Sequence, residues 1–321
     1  MERYAPMSSS LPKQSRRTRW SLLAPLAAVL AVACGAQQNP PSGGPATKFV
    51  FAPRVGGEFT HQMKHLDEVT VPGSNFRDSQ EWSAVWKVKV EDGGDKYLYR
   101  RRLAEFSVTL NGQKLLNGQE IEPKKAEIVQ VMSKDGRVLD VTGAETLTEA
   151  LASLVPESER ARVKQEFAPE RLRAMLAARA VDSFDEVVGK PAEVGSTWKA
   201  ESKFGPLKGK TVVVDSAVGC GGRQCRKLTR VFDIDQEMVN DVVRQRVATF
   251  LQQKGWKPSA ARVADSNMKV EDVFVVEPAT CHFHDANLNE EGFVVLKDPA
   301  GASLKIVMTS KAESHADYPA P

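Results

Sequence analysis

The chain has only five histidines and four cysteines among its 321 residues, and the patterns that make such residues catalytic are missing. It contains no His-Glu-x-x-His zinc signature and no Gly-x-Ser-x-Gly elbow. No glycine fingerprint for a dinucleotide follows a strand-like run. Gly205, Pro206, Leu207, Lys208, Gly209, Lys210 and Thr211 imitate a phosphate loop, but Phe204 stands where the first glycine belongs and a strand-like run follows instead of a helix, so a surface turn is expected there. No basic run is interleaved with aromatics, which argues against nucleic acid as a partner. Carboxylates such as Glu157 and Glu159 sit beside Arg160 and Arg162, the composition of a solvated face. With no nucleophile, metal set or acid/base constellation in view, the expectation is a non-enzymatic protein that needs no cofactor.

A long apolar run is also lacking. The most apolar stretch, Trp20 to Ala33, is about 14 residues, short of the roughly 20 that span a bilayer. Lys13, Arg16, Arg17 and Arg19 precede it and small residues end it, the order of an export signal. The run closes in Leu30, Ala31, Val32, Ala33, Cys34 and Gly35, which resembles the lipobox of bacterial lipoproteins, with Ala31 where leucine is usual. That resemblance implies cleavage after residue 33, acylation of Cys34 and a membrane held through that lipid. Gly35, in place of aspartate, implies delivery to the outer membrane of the cell envelope. Ser15, Arg16 and Arg17 also resemble a twin-arginine signal, although Arg19 replaces its bulky apolar residue, so two export routes stay open. From Gly35 to Pro45 the composition is polar and rich in proline and glycine, as in a flexible tether. Such a tether reaches roughly 40 Å. The expected organisation is a signal at 1–33, an anchor and tether at 34–47, and a single domain at 48–321.

Removing residues 1–33 takes five of the 44 basic and one of the 41 acidic residues, leaving 39 against 40. The body is therefore nearly neutral. Beyond Cys34 it has three cysteines. Cys220 and Cys225 bracket four residues, with Val212, Val213 and Val214 before and Leu228, Thr229 and Val231 after, which predicts a hairpin with a four-residue loop and a disulfide. Cys281 is then left over as a buried thiol. Cys281, His282, His284 and Asp285 form the one cluster with ligand chemistry, but in a strand the two histidines face away from the other two residues. His61 or His65 could complete a site only from a neighbouring strand. A surface or turn cluster without metal is the expectation.

Apolar and polar residues alternate through Trp82, Ala84, Trp86, Val88 and Val90, and strand-like stretches recur at 97–108, 128–132 and 138–141. Asp135 and Gly136 mark a hairpin. Between 142 and 182 the period becomes helical. Thr142 and Glu145 suggest a capping box, Leu147, Ala150, Leu151, Leu154 and Val155 share a face, and Pro156 and Pro169 open the next two helices. The third helix carries Leu172, Met175 and Leu176 on one side. Another helix begins near Asp235, with Val239, Val242, Val243, Val247, Phe250 and Leu251 as its buried face, and strands return at 273–276, 293–296 and 304–308 around a turn at 298–301. The pattern predicts an α+β fold, a curved antiparallel sheet or half-barrel with inserted helices.

Gly189, Lys190, Pro191, Val194, Gly195 and Trp198 resemble the K-P-x-x-V-G-x-x-W segment of a group of bacterial lipoproteins of unknown function, and Asp135, Gly136, Val138 and Leu139 resemble its D-G-x-V/I-L hairpin. That group is similar in architecture to periplasmic lipoprotein carriers of the Lol-type half-barrel, whose sheet wraps helices around an apolar concavity. The resemblance implies a carrier of a lipid or other hydrophobic ligand. The alternative is an assembly lipoprotein acting through its outer surface. A segmented cover of three short helices favours a loose fit, with a ligand space of roughly a few hundred Å³.

Overall fold

The computed structural model describes residues 47–116, 126–180, 186–201 and 207–318. Cys34, the export signal and nearly all of the tether lie outside them. The strands are β1 (Glu58–Thr70), β2 (Arg77–Asp92), β3 (Lys96–Leu110), β4 (Gln113–Leu116), β5 (Glu127–Ser133) and β6 (Val138–Thr142). The helices α1 (Ala144–Ser153), α2 (Glu157–Glu166) and α3 (Pro169–Ala180) follow, then β7 (Thr197–Glu201), β8 (Leu207–Cys220) and β9 (Arg223–Ile234). The chain continues through α4 (Gln236–Arg246), α5 (Ala248–Gln253), β10 (Arg262–Glu277), β11 (His282–Lys297) and β12 (Ser303–Asp317).

These twelve strands form one open antiparallel sheet in the order β6-β5-β3-β2-β1-β12-β11-β10-β9-β8-β7, with β4 beside β3. The expected α+β class and curved antiparallel sheet are what is found. Side-chain alternation builds it: on β2 the even residues Trp82 to Val90 are buried, while Ser83, Val85 and Lys87 lie partly in solvent. A bulge keeps β3 in phase. Val85 faces Glu105 but Trp86 faces Leu103, so Tyr99, Arg101 and Leu103 are buried before the extra residue, and Phe106 and Val108 after it.

Both helical blocks cover the same face of the sheet. Met63 packs in the cluster under α1–α3, whereas Val69 packs in a second cluster with Val243, Val247 and Leu251 of the α4–α5 region. Met63 and Val69 are both odd-numbered residues of β1, so they project to one side.

Several sequence expectations change in detail. The first helix is not capped by Thr142, which ends β6; its N-cap is Gly143 at φ 86° with no side-chain cap. Pro156 precedes α2 as its N-cap, while Pro169 opens α3 as expected. Val242 is 40% exposed and does not belong to the buried face of α4. The stretch from Leu207 to Thr211, expected as a surface turn, lies instead inside β8, with Lys210 buried.

Candidate apolar ligand site

Under α1–α3 the inner face of the sheet presents Met63 from β1, Trp82, Ala84 and Trp86 from β2, Leu103 and Phe106 from β3, and Ile128 from β5. The cover contributes Leu147 and Leu151 from α1, Phe167 at the end of α2, and Leu172 and Leu176 from α3. Phe106 meets Phe167 edge-on at 6.5 Å. Between the two layers lies a cavity of about 30 Å³, lined only by apolar side chains. The void of a few hundred Å³ expected from a loose cover is therefore absent from this conformation. The space could admit a water by size, but an apolar cavity offers it no partners and stays dry.

Among the described residues, few polar contacts pin the cover. Thr148 Oγ1 donates to the carbonyls of Ala144 (2.9 Å) and Phe167 (2.6 Å), tying α1 to the end of α2. Gln130 Nε2 donates to the Leu176 carbonyl at 3.2 Å, tying α3 to β5. At the surface Lys164 pairs with Glu149 (2.6 Å) and Arg173 with Glu145; exposed pairs of this kind contribute under about 1 kcal/mol. Trp82 and Trp86 line the cavity with apolar ring atoms, while their indole Nε1 atoms are buried with no hydrogen-bond partner among the described residues. Each unsatisfied donor costs about 1–3 kcal/mol.

Next to this apolar zone the inner face turns polar. Lys210 and Arg230 converge on Glu186 at 2.5 and 3.2 Å, and Arg230 also reaches Asp272 at 2.8 Å. Burial pushes the carboxyls of Glu186 and Asp272 above their usual range even so. Glu290 of β11, partly exposed as a residue, has its carboxyl raised to about 7 by burial and by the Asp67 and Asp272 charges.

The cysteine hairpin forms with a tighter turn than expected. Cys220 pairs with Arg223 across Gly221 and Gly222, whose φ of 56° and 80° suit a two-residue hairpin turn. Cys225 faces Val218, so the two cysteines occupy diagonal positions on one face with Cα atoms 5.9 Å apart, placed for a disulfide. Cys281 is buried, and burial raises its thiol well above the usual range.

The surface cluster expected at 281–285 is instead internal. Val275 faces Asp285 while Val276 faces Phe283, which makes His284 the extra residue of a bulge. His282 and His284 are therefore both buried, and Cys281, at φ 55° in the preceding turn, is buried beside them. Asp285 points outward to His315 Nδ1 at 2.6 Å. Neither His61 nor His65 joins this cluster, because β12 lies between β1 and β11. His61 Nε2 bonds Ser314 Oγ at 2.6 Å, and His65 stacks on Trp82 at 5.6 Å. The partner that alternation could not anticipate is Glu277, directly across from His282.

Among the described residues no helix is long and apolar enough to cross a membrane. No family model matches the chain, and no curated protein matches it. Among solved structures it is similar to lipovitellin, studied for its lipid–protein interactions, at 10% identity and a TM-score of 0.40 over 82% of this chain and 25% of that one. The chain thus spans a quarter of that protein's length. It is also similar to DynF from the dynemicin biosynthesis pathway of Micromonospora chersina (9% identity, TM-score 0.19, 90% of this chain and 94% of that one). A DUF1329 family protein from Desulfovibrio piger matches at 8% identity and a TM-score of 0.14, over 81% of this chain and 85% of the other. At these TM-scores none of the likenesses bears on fold or function.

Proposed function

We propose that the protein is a lipid-anchored component of the bacterial envelope that takes an acyl chain or similar apolar ligand between α1–α3 and the inner face of β1, β2, β3 and β5. The wholly apolar lining carries this reading, because a packed interior and a ligand site differ only in whether the cover opens. The cover is built to open in pieces. Its helices are ten, ten and twelve residues long, joined at Pro156 and Ala168, and the buried Val163 is the main apolar anchor within α2. Cys34 supplies the anchor, and an oxidising compartment keeps Cys220 and Cys225 bridged.

The test is titration of the full chain with a bromine-substituted fatty acid while tryptophan emission is read. Saturable quenching at one ligand per chain, lost in Trp82→Phe/Trp86→Phe, is expected. Native mass spectrometry of protein purified without detergent should show a copurifying lipid. If neither saturable binding nor a copurifying lipid is found, the chain acts through its outer surface, as the tight cavity of about 30 Å³ would then mean.

A further inference from the structure

The turn joining β10 to β11 brings three potential ligand residues together in the interior, away from the apolar site. Glu277 ends β10, His282 opens β11 opposite it, and the bulge turns His284 inward beside them. One side-chain atom from each of the three lies within 4.8 Å of the others. Nδ1 of His282 is 3.2 Å from Oε2 of Glu277. Two ligands bound about 2.0–2.1 Å from a tetrahedral zinc stand roughly 3.3 Å apart, so this pair is already at coordination spacing.

A second observation points to a ligand. His282 is fully buried, with its Nδ1 held against the Glu277 carboxylate, while its Nε2 and the Nε2 of His284 are buried with no hydrogen-bond partner among the described residues. Buried polar atoms are almost always satisfied, and two neighbouring imidazoles that each leave a buried nitrogen without a partner call for one. The His282 ring cannot turn freely to find one, because Tyr318 stacks on it at 4.2 Å and nearly parallel. Tyr318 is fixed in turn by its hydroxyl, which donates to the Phe283 carbonyl at 3.1 Å.

We propose that Glu277, His282 and His284 form a three-residue site for a divalent cation of the zinc type, with a fourth position left for water. Two features shape its affinity. Arg54 and Arg223 approach Oε2 of Glu277 at 3.4 and 3.2 Å, so a metal must displace cations from the oxygen it uses. Cys220 and Cys225 lie close enough to His284 to make a different, sulfur-containing set once reduced. The proposed site is the oxygen and nitrogen set, which exists with the disulfide intact.

Calorimetric titration of zinc into the full chain, purified without reductant and stripped by a chelator, tests it. One zinc per chain is expected, with His282→Gln and His284→Gln each weakening binding by more than the roughly 100-fold that loss of an outer-shell partner costs. Arg223→Gln removes a competing cation without touching a ligand, and should tighten binding at least about tenfold. Cobalt(II) in place of zinc should give ligand-field absorption without a sulfur charge-transfer band. Absence of stoichiometric binding overturns the proposal, as does binding that survives both histidine changes. Binding that appears only after reduction would assign the metal to Cys220, Cys225 and His284 instead, and would equally overturn it.

Discussion

Glu290 sits on β11 opposite Ser310 of β12, in the lateral row that also holds Asp67 of β1. Its proton affinity in the folded state exceeds that in the unfolded chain, with the folded value near 7 against an ordinary 4.5. A carboxyl raised in this way favours the fold fully below pH 4.5, and the contribution is lost as pH climbs through 7. Glu290→Gln should therefore change stability little at pH 4 and raise it at pH 8 by up to about 3 kcal/mol, since each tenfold change in proton affinity is worth about 1.4 kcal/mol. Denaturant unfolding at the two pH values measures this, and an equal effect at both would show that the carboxyl does not titrate there. Much at this scale was legible from spacing alone. The cysteine pair, the buried thiol of Cys281 and the inward Trp82 and Trp86 follow from alternation and flanking residues. The burial of His284 does not, because a bulge shifts phase by one residue and leaves no trace in the hydrophobic pattern.

Among the elements, the entry to α1 is the most constrained joint. Gly143 has a left-handed φ of 86°, and a Cβ there would stand 2.2 Å from the Glu127 carbonyl oxygen. Gly143→Ala is expected to destabilise the protein by more than about 2 kcal/mol, through both backbone strain and a clash with β5 that cannot relax cheaply. Thermal unfolding compared with Gly301→Ala, where φ is 90° in an exposed turn and a Cβ would meet nothing within 4 Å, separates the two causes. A similar loss at both positions would leave strain alone as the cause. Strands with apolar inner faces, such as β2, announced themselves. β1 did not, since His61, His65 and Asp67 occupy three of its inward positions and break the apolar alternation. The helices were visible by period, but the choice between Thr142 and Gly143 as the cap depended on how closely β5 passes, a tertiary fact.

For the whole molecule, the antiparallel class could be read from the number of alternating segments, whereas strand order could not, because pairing partners far apart in sequence share no local signal. The size of the cavity was equally hidden, since apolar residues that touch and apolar residues that nearly touch have the same pattern. The proposed anchor has its own test at this scale. Cys34→Ser should leave the body folded and shift the exported protein from the membrane to the soluble fraction on cell fractionation. Retention in the membrane after signal cleavage would mean that another part of the chain holds it there.

The first and last strands meet at the middle of the sheet: His61 of β1 bonds Ser314 of β12, 253 positions further along. Each half of the sheet can assemble from neighbours in sequence, but the seam between them must wait until β12 has been made. Closing so distant a contact is entropically slow, and until it closes both seam edges expose unpaired backbone groups. The centre of the sheet thus cannot exist before β12 does, which leaves a window in which the chain is still an unfolded thread able to pass a narrow channel and still in need of protection from its own open edges.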